Sequence, residues 1–248
     1  MDTLIEFGQT YWLNLVALAW FLVCFKGYMR YAKVQSYHTP CLASVLHLYR
    51  HEWMSRMLTR EMRIADATVI ANLERSVAFF ASTTMLVLAG LMTVLGSTQQ
   101  AIDIVADIPF AVHTSRGEWE LKVLLLIALF IYAFFKFTWS LRQYGFASIM
   151  VGSAPTPREA TSEQEAQAYA ARVSKMTSMA ANNFNIGLRT YYFSLAVLGW
   201  FINAWVFMVL SAGVVFVLYR REFTSSTLKT LMMSVDVESR NSESGSKT

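Results

Sequence analysis

Charge is scarce in this sequence: Asp, Glu, Lys and Arg make up 15% of its 248 residues, against roughly 25% in an ordinary soluble domain. Its two cysteines, Cys24 and Cys41, are too few for a disulfide framework or a zinc site, and both are expected as reduced thiols. There is no glycine-rich phosphate loop, no nucleophile elbow and no clustered acid–base set. The usual enzyme constellations are therefore missing, no cofactor motif is present, and a non-enzymatic role is expected. No arginine stripe alternates with aromatics as a single-strand groove would require, so nucleic acid is not an expected partner. The first twelve residues, MDTLIEFGQTYW, contain no Lys or Arg, so the start of the chain reads as an uncleaved span and not as a secretory signal.

What the chain does have is apolar residues, 55% of the total, gathered in long blocks that describe membrane spans. The fold expected is all-α: a polytopic membrane protein with four transmembrane helices and two cytoplasmic helical segments, over residues 1–223. The spans fall at about 11–29, 77–95, 123–141 and 191–218. The first three match the ~20 residues needed to cross the hydrocarbon core. The fourth is longer and reads as one tilted span. Tyr28, Tyr31, Trp119, Trp139, Tyr191, Tyr192 and Tyr219 stand near the ends, at the level amphipathic rings prefer. Residues 224–248 read as a polar, partly disordered tail, its last ten rich in serine.

The Lys and Arg residues divide fourteen to seven between the two sides of this arrangement. The richer side is expected in the cytoplasm, with both termini periplasmic. One feature disagrees: Arg220 and Arg221 directly follow the fourth span, on the side the count makes the outer one.

The cytoplasmic segments read as helix over 42–73 and 162–186. In the first, Arg56, Arg60 and Arg63 recur at i, i+4 and i+7 and form a basic ridge beside Trp53, Met57 and Ile64. The ridge suits either an anionic lipid surface or packing on another helix. His47 and His51, four apart on the same segment, are a weak candidate for metal, since no third ligand lies in range. The second segment opens at Thr161 or Ser162 as N-cap, with Glu163 and Glu165 in its first turn. Outside, 101–106 could form a short helix that Pro109 ends.

The stretches FFASTTMLVLAGL (79–91), WELKVLLLIALFIYAFFKFTWSLRQYGFASIMVGSAP (119–155), NFNIGLRTYYFSLAVLGWF (183–201) and VLYRREF (217–223) resemble a bacterial inner-membrane family catalogued as domain of unknown function five-nine-nine. The resemblance runs from about Trp12 to Phe223. It implies four spans and a bacterial inner membrane, and it carries no catalytic residue.

The residues with functional promise gather at one membrane level. Lys136 is the only charge well inside a span and lies close enough to the inner end to snorkel. With Asn72 and Arg75, Arg142 and Gln143, and Asn183, Asn185 and Arg189, it could line an inner pore mouth, clamp a lipid phosphate, or simply anchor the helix ends. The predicted spans contain no Asp or Glu, which argues against a proton-driven pump. Small residues at Ala89–Gly90, Gly199 and 211–213 read as close helix contacts. The leading expectation is an oligomer-forming protein that works through anionic membrane lipids or protein contacts. The runner-up is a passive channel or carrier for a small ion or solute.

Overall fold

In the computed structural model, residues 2–106, 115–157, 159 and 162–233 are described, and among them seven helices follow in order. They are α1 (Asp2–His38), α2 (Leu42–Leu58), α3 (Ile64–Gly96), α4 (Thr98–Ala106), α5 (Arg116–Gly152), α6 (Glu163–Ile202) and α7 (Ala204–Phe223). Four stretches are long and apolar enough to cross a membrane: Trp12–Ser36, Ile64–Gly96, Arg116–Gly152 and Ala204–Met233. The all-α membrane architecture holds.

Local chemistry sets the helix starts. Ser115 and Ser162 form reciprocal capping boxes with Glu118 and Glu165, so α5 and α6 each satisfy their first orphan amides internally. Pro40 follows the end of α1 and precludes its continuation. Pro109 and the tail 234–248 fall outside the described residues, and 226–233 is helical.

The largest departure from expectation is at Asn203. There the backbone is extended (φ −159°, ψ 145°), which ends α6, and the Asn203 side chain accepts the Trp205 N–H at 3.0 Å to start α7. The apolar stretch 191–218 is therefore not one span. It is the inside of a helical hairpin, packed closely at Gly199, where a Cβ would lie 2.6 Å from the Leu210 side chain and 3.1 Å from that of Val206. Arg189 of α6 meets Glu222 of α7, and Arg221 meets Tyr192, so α7 runs back the way α6 came.

Cross-contacts give the levels. Trp119 of α5 meets Phe201 edge-on, Phe130 meets Tyr191 edge-on, and Phe137 contacts Phe184 at a tilt, so α6 from about 184 to 202 runs antiparallel beside α5 at membrane depth. At 1.5 Å per residue that is roughly 28 Å, the thickness of the hydrocarbon core. A fifth helical segment thus lies beside the four long apolar ones. The start of α1 and the end of α7 consequently lie at opposite ends of the bundle, where a single fourth span would have brought them to the same end. Asn14 marks α1's end of the molecule, bonding Glu118 and Trp200. Tyr49 of α2 marks the other, donating to the Leu231 carbonyl.

The molecule has two storeys. In the membrane storey Phe21, Phe193, Val197, Trp200 and Phe207 form one core between α1, α6 and α7. Val77, Ala133, Phe137 and Ala180 form another, with Phe80, Phe184 and Tyr191 against it. Outward, Phe79, Leu86, Ile131, Val209 and Phe216 are exposed, as a lipid-facing surface requires. Beyond it α3, α5 and α6 continue and, with α2, close a second small bundle around Met54, Met57, Ile70, Val151, Ala170 and Val173. The expected helix 42–73 is broken here: α2 stops at Leu58 and α3 starts at Ile64. The segment expected at 162–186 is simply the first half of α6, unbroken through Gly187, whose missing Cβ leaves room for the Phe137 ring.

Candidate functional site

The turn at Asn203 redistributes the charges. Of the described lysines and arginines, only Arg116 and Lys122 belong to the end of the bundle where α1 starts. Arg220 and Arg221, the pair that disagreed with the expected topology, now lie with the basic majority. Arg30 and Lys33 on α1, Arg75 on α3, Arg142 on α5, and Arg220 and Arg221 on α7 are all exposed. They encircle the bundle near the junction of the two storeys.

Inside this girdle the structure joins some of the expected site residues. The Lys136 ammonium lies 5.5 Å from the centre of the Tyr132 ring and 3.4 Å from the Asn183 carbonyl oxygen. The Asn183 amide meets that of Gln143 at 2.8 Å. Gln143 is buried. Its oxygen accepts the Asn183 side-chain N–H, and the same Asn183 nitrogen also donates to the Met179 carbonyl at 3.1 Å. Below it the Ser140 hydroxyl donates to the Ala180 carbonyl at 2.7 Å. This network ties α5 to α6 and carries Lys136 toward the basic end, as a snorkelling lysine is carried.

Arg189 serves a different seam. Its guanidinium makes a two-bonded pair with Glu222 at 2.7 and 2.8 Å, the side chains only 13% and 19% exposed, and it lies over the Tyr28 ring at 5.7 Å. Three helices, α1, α6 and α7, meet on this pair. Glu222 escaped the sequence reading because a single fourth span would have carried it to the far side.

The remaining candidates point elsewhere. Asn72 and Arg75 are exposed on α3 and contact each other at 3.4 Å. Arg142 is exposed and lies over Phe146 on its own helix. Asn185 is half-buried with no side-chain hydrogen bond among the described residues. The eight residues therefore do not form one site: three join in the amide network, one in the ion pair, and the others face outward or stand apart.

Nor do the three arginines of the first cytoplasmic segment form a ridge. Arg56 pairs with Glu52 one turn back. Arg60 turns inward to Asp66 at 2.7 Å, and Asp66, 1% exposed, also accepts the Trp53 indole N–H at 2.7 Å. Arg63 donates to the carbonyls of Ala154 and Pro155, both at 2.5 Å. The neighbouring stripe divides too: Met57 is fully buried against α6 while Ile64 is exposed. Here α2 packs on helices. Arg60 and Arg63 are both held by protein partners.

His47 faces the Ser178 hydroxyl at 2.9 Å, while His51 is exposed. Among the described residues no three His, Cys, Asp or Glu side chains are grouped to hold a metal. Cys24 and Cys41 are free thiols. Chemically, then, the basic end offers exposed cations, and amides and ion pairs that hold helices together. No curated protein and no solved structure matches the chain. The family model described as protein of unknown function, DUF599, matches residues 16–227. The match takes in every helix from the body of α1 to the end of α7, with the amide network, the ion pair and the cationic girdle, and the chain belongs to that family.

Proposed function

We propose that the protein is a non-enzymatic, oligomer-forming component of the bacterial inner membrane that acts through anionic lipid headgroups and protein contacts, its basic end in the cytoplasm. The girdle carries this reading. Each of the four long apolar stretches presents an exposed cation near one level, and the positive-inside bias assigns that level to the cytoplasmic leaflet. There each Lys or Arg is worth about 1 kcal/mol against an anionic surface. Gly90 and Gly213 have nothing within 4 Å of a built Cβ and lie on exposed faces of α3 and α7, where a second copy could approach closely.

A passive channel through one chain is less well supported. Phe80, Phe130, Phe137, Phe184 and Tyr191 fill the space between α3, α5 and α6 at mid-depth with edge-to-face and tilted ring pairs. A solute path would have to run between copies.

The test is lipid retention. Wild-type protein purified in mild, uncharged detergent should retain phosphatidylglycerol, and a variant with Arg30, Lys33, Arg75 and Arg142 all changed to Gln should lose most of it. Equal retention by both proteins, together with ion flux from wild-type proteoliposomes, would sink the lipid reading in favour of the channel.

A further inference from the structure

Arg50 is a half-buried cation with no carboxylate partner among the described residues. It shares the face of α2 that carries Met54 and Met57, one and two turns on, both fully buried. Burial pushes its guanidinium below the usual arginine range, and the neighbour that counters this is the Tyr144 hydroxyl of α5. Arg56 on the same helix has Glu52 four residues back, whereas Arg50 has no acid three or four residues to either side. Among the described residues no carboxylate pairs with it. A partly desolvated charge without a partner is costly, and a counter-charge from outside the protein would offset that cost.

A second, independent observation lies on α6. Ser174 is fully buried and its hydroxyl has no hydrogen-bond partner. A helical serine or threonine ordinarily turns back to the carbonyl four residues earlier, as Thr190, Ser194 and Ser211 do. The register of the helices relates the two residues. His47 of α2 meets Ser178, and Met54 packs with Ala170 and Val173, so antiparallel counting puts Arg50 level with Ser174. On the other side Ser140 meets Ala180, and Val151 joins the cluster of Ala170 and Val173, which puts Tyr144 at that level too.

We propose that this junction of α2, α5 and α6 is a phosphate-binding site. Arg50 supplies the charge and a fork matched to two phosphate oxygens, and the hydroxyls of Tyr144 and Ser174 supply two further donors. Its level, where the helices leave the apolar core, lets the phosphate come from a phospholipid headgroup of the inner leaflet or from solution. The site stands apart from the girdle reading, because neither Arg50 nor its neighbours belong to the girdle.

The experiment uses full-length protein in uncharged detergent, with Arg50→Gln compared against Arg56→Gln, which removes the same charge from the same helix. In the first arm the protein is stripped of lipid and inorganic phosphate is titrated at constant ionic strength set by chloride. Wild type and Arg56→Gln should gain several degrees in Tm, saturably, and Arg50→Gln should need at least tenfold more phosphate. In the second arm phosphorus is counted on protein that has not been stripped. About one more phosphorus per chain in wild type than in Arg50→Gln identifies the lipid headgroup as the source, and equal counts with the Tm effect intact identify free phosphate. If Arg50→Gln does not fold, Ser174→Ala and Tyr144→Phe remove only hydroxyls and should each weaken half-saturation severalfold. Identical behaviour of the Arg50, Ser174 and Tyr144 variants and Arg56→Gln in both arms overturns the site. So does a loss of phosphate in Arg142→Gln but not in Arg50→Gln, which places the phosphate on the girdle.

Discussion

The two storeys hold their helices together by different means. In the membrane storey the contacts are rings on rings: Phe21, Phe193 and Phe207 around α1, Phe80, Phe137 and Phe184 between α3, α5 and α6. Polar ties appear there mainly toward the two ends. Lipid is as apolar as a side chain, so association at depth rests on close packing and not on escape from water. In the second storey the apolar core is small, built on two methionines and short aliphatics. Named polar locks complete it: Asp66 with Trp53 and Arg60, Arg63 with the 154–155 carbonyls, and Tyr169 with the Met150 carbonyl. Water supplies the hydrophobic drive there, and the locks fix which helices meet.

Breaking a lock should therefore separate the storeys. Asp66→Ala strands the Trp53 indole and the Arg60 guanidinium and should cost about 3 kcal/mol. The loss should be confined to α2 and the start of α3. Limited proteolysis should open near residues 59–63 while the membrane storey keeps its helical circular dichroism. Uniform loss of structure throughout the chain would mean that the storeys are one cooperative unit.

The Arg189–Glu222 pair sharpens the comparison from the other side, as a polar lock at the edge of the ring-packed storey. Glu222→Ala should cost about 2 kcal/mol, less than a fully buried pair, because Arg189 lies near enough to the headgroups to turn to a phosphate. The exchange Arg189→Glu with Glu222→Arg should recover most of the stability in a double-mutant cycle. No recovery would place α6 and α7 apart.

The smallest effect is expected from packing alone. A methyl at Gly187 meets the Phe137 ring. Gly187→Ala should cost about 1 kcal/mol after the ring shifts, read as a lowered Tm with an unchanged proteolysis pattern in the second storey. A stabilising outcome would show that the aromatic core is looser than its contacts imply.

Much of this was legible in the sequence, and the failures have physical causes. Long apolar blocks give α1, α3 and α5, and the Ser162–Glu165 box gives the start of α6. The hairpin was concealed because Asn203 breaks the helix with neither glycine nor proline beside it. Two signals were present: a run eight residues too long for one span, and Arg220–Arg221 on the wrong side. A turn at Asn203 accounts for both. The break after Leu58 was invisible, because Arg63 finds its partners some ninety residues away in the chain. The site residues divided likewise. Gln143 and Asn183 come together because they sit on α5 and α6, which run antiparallel against each other at this level. Arg50 lacked any motif, and only its missing acidic neighbours set it apart.

The central claim is that α7 returns to the basic, cytoplasmic side. In a protein with Cys24 and Cys41 changed to serine, single cysteines at Gln99, Lys175 and Ser226 occupy exposed positions on α4, on α6 and beyond α7. In intact cells an impermeant thiol reagent should label Gln99→Cys alone, and Lys175→Cys and Ser226→Cys should react only after the membrane is opened. Labelling of Ser226→Cys together with Gln99→Cys in intact cells would contradict the hairpin and restore a single fourth span.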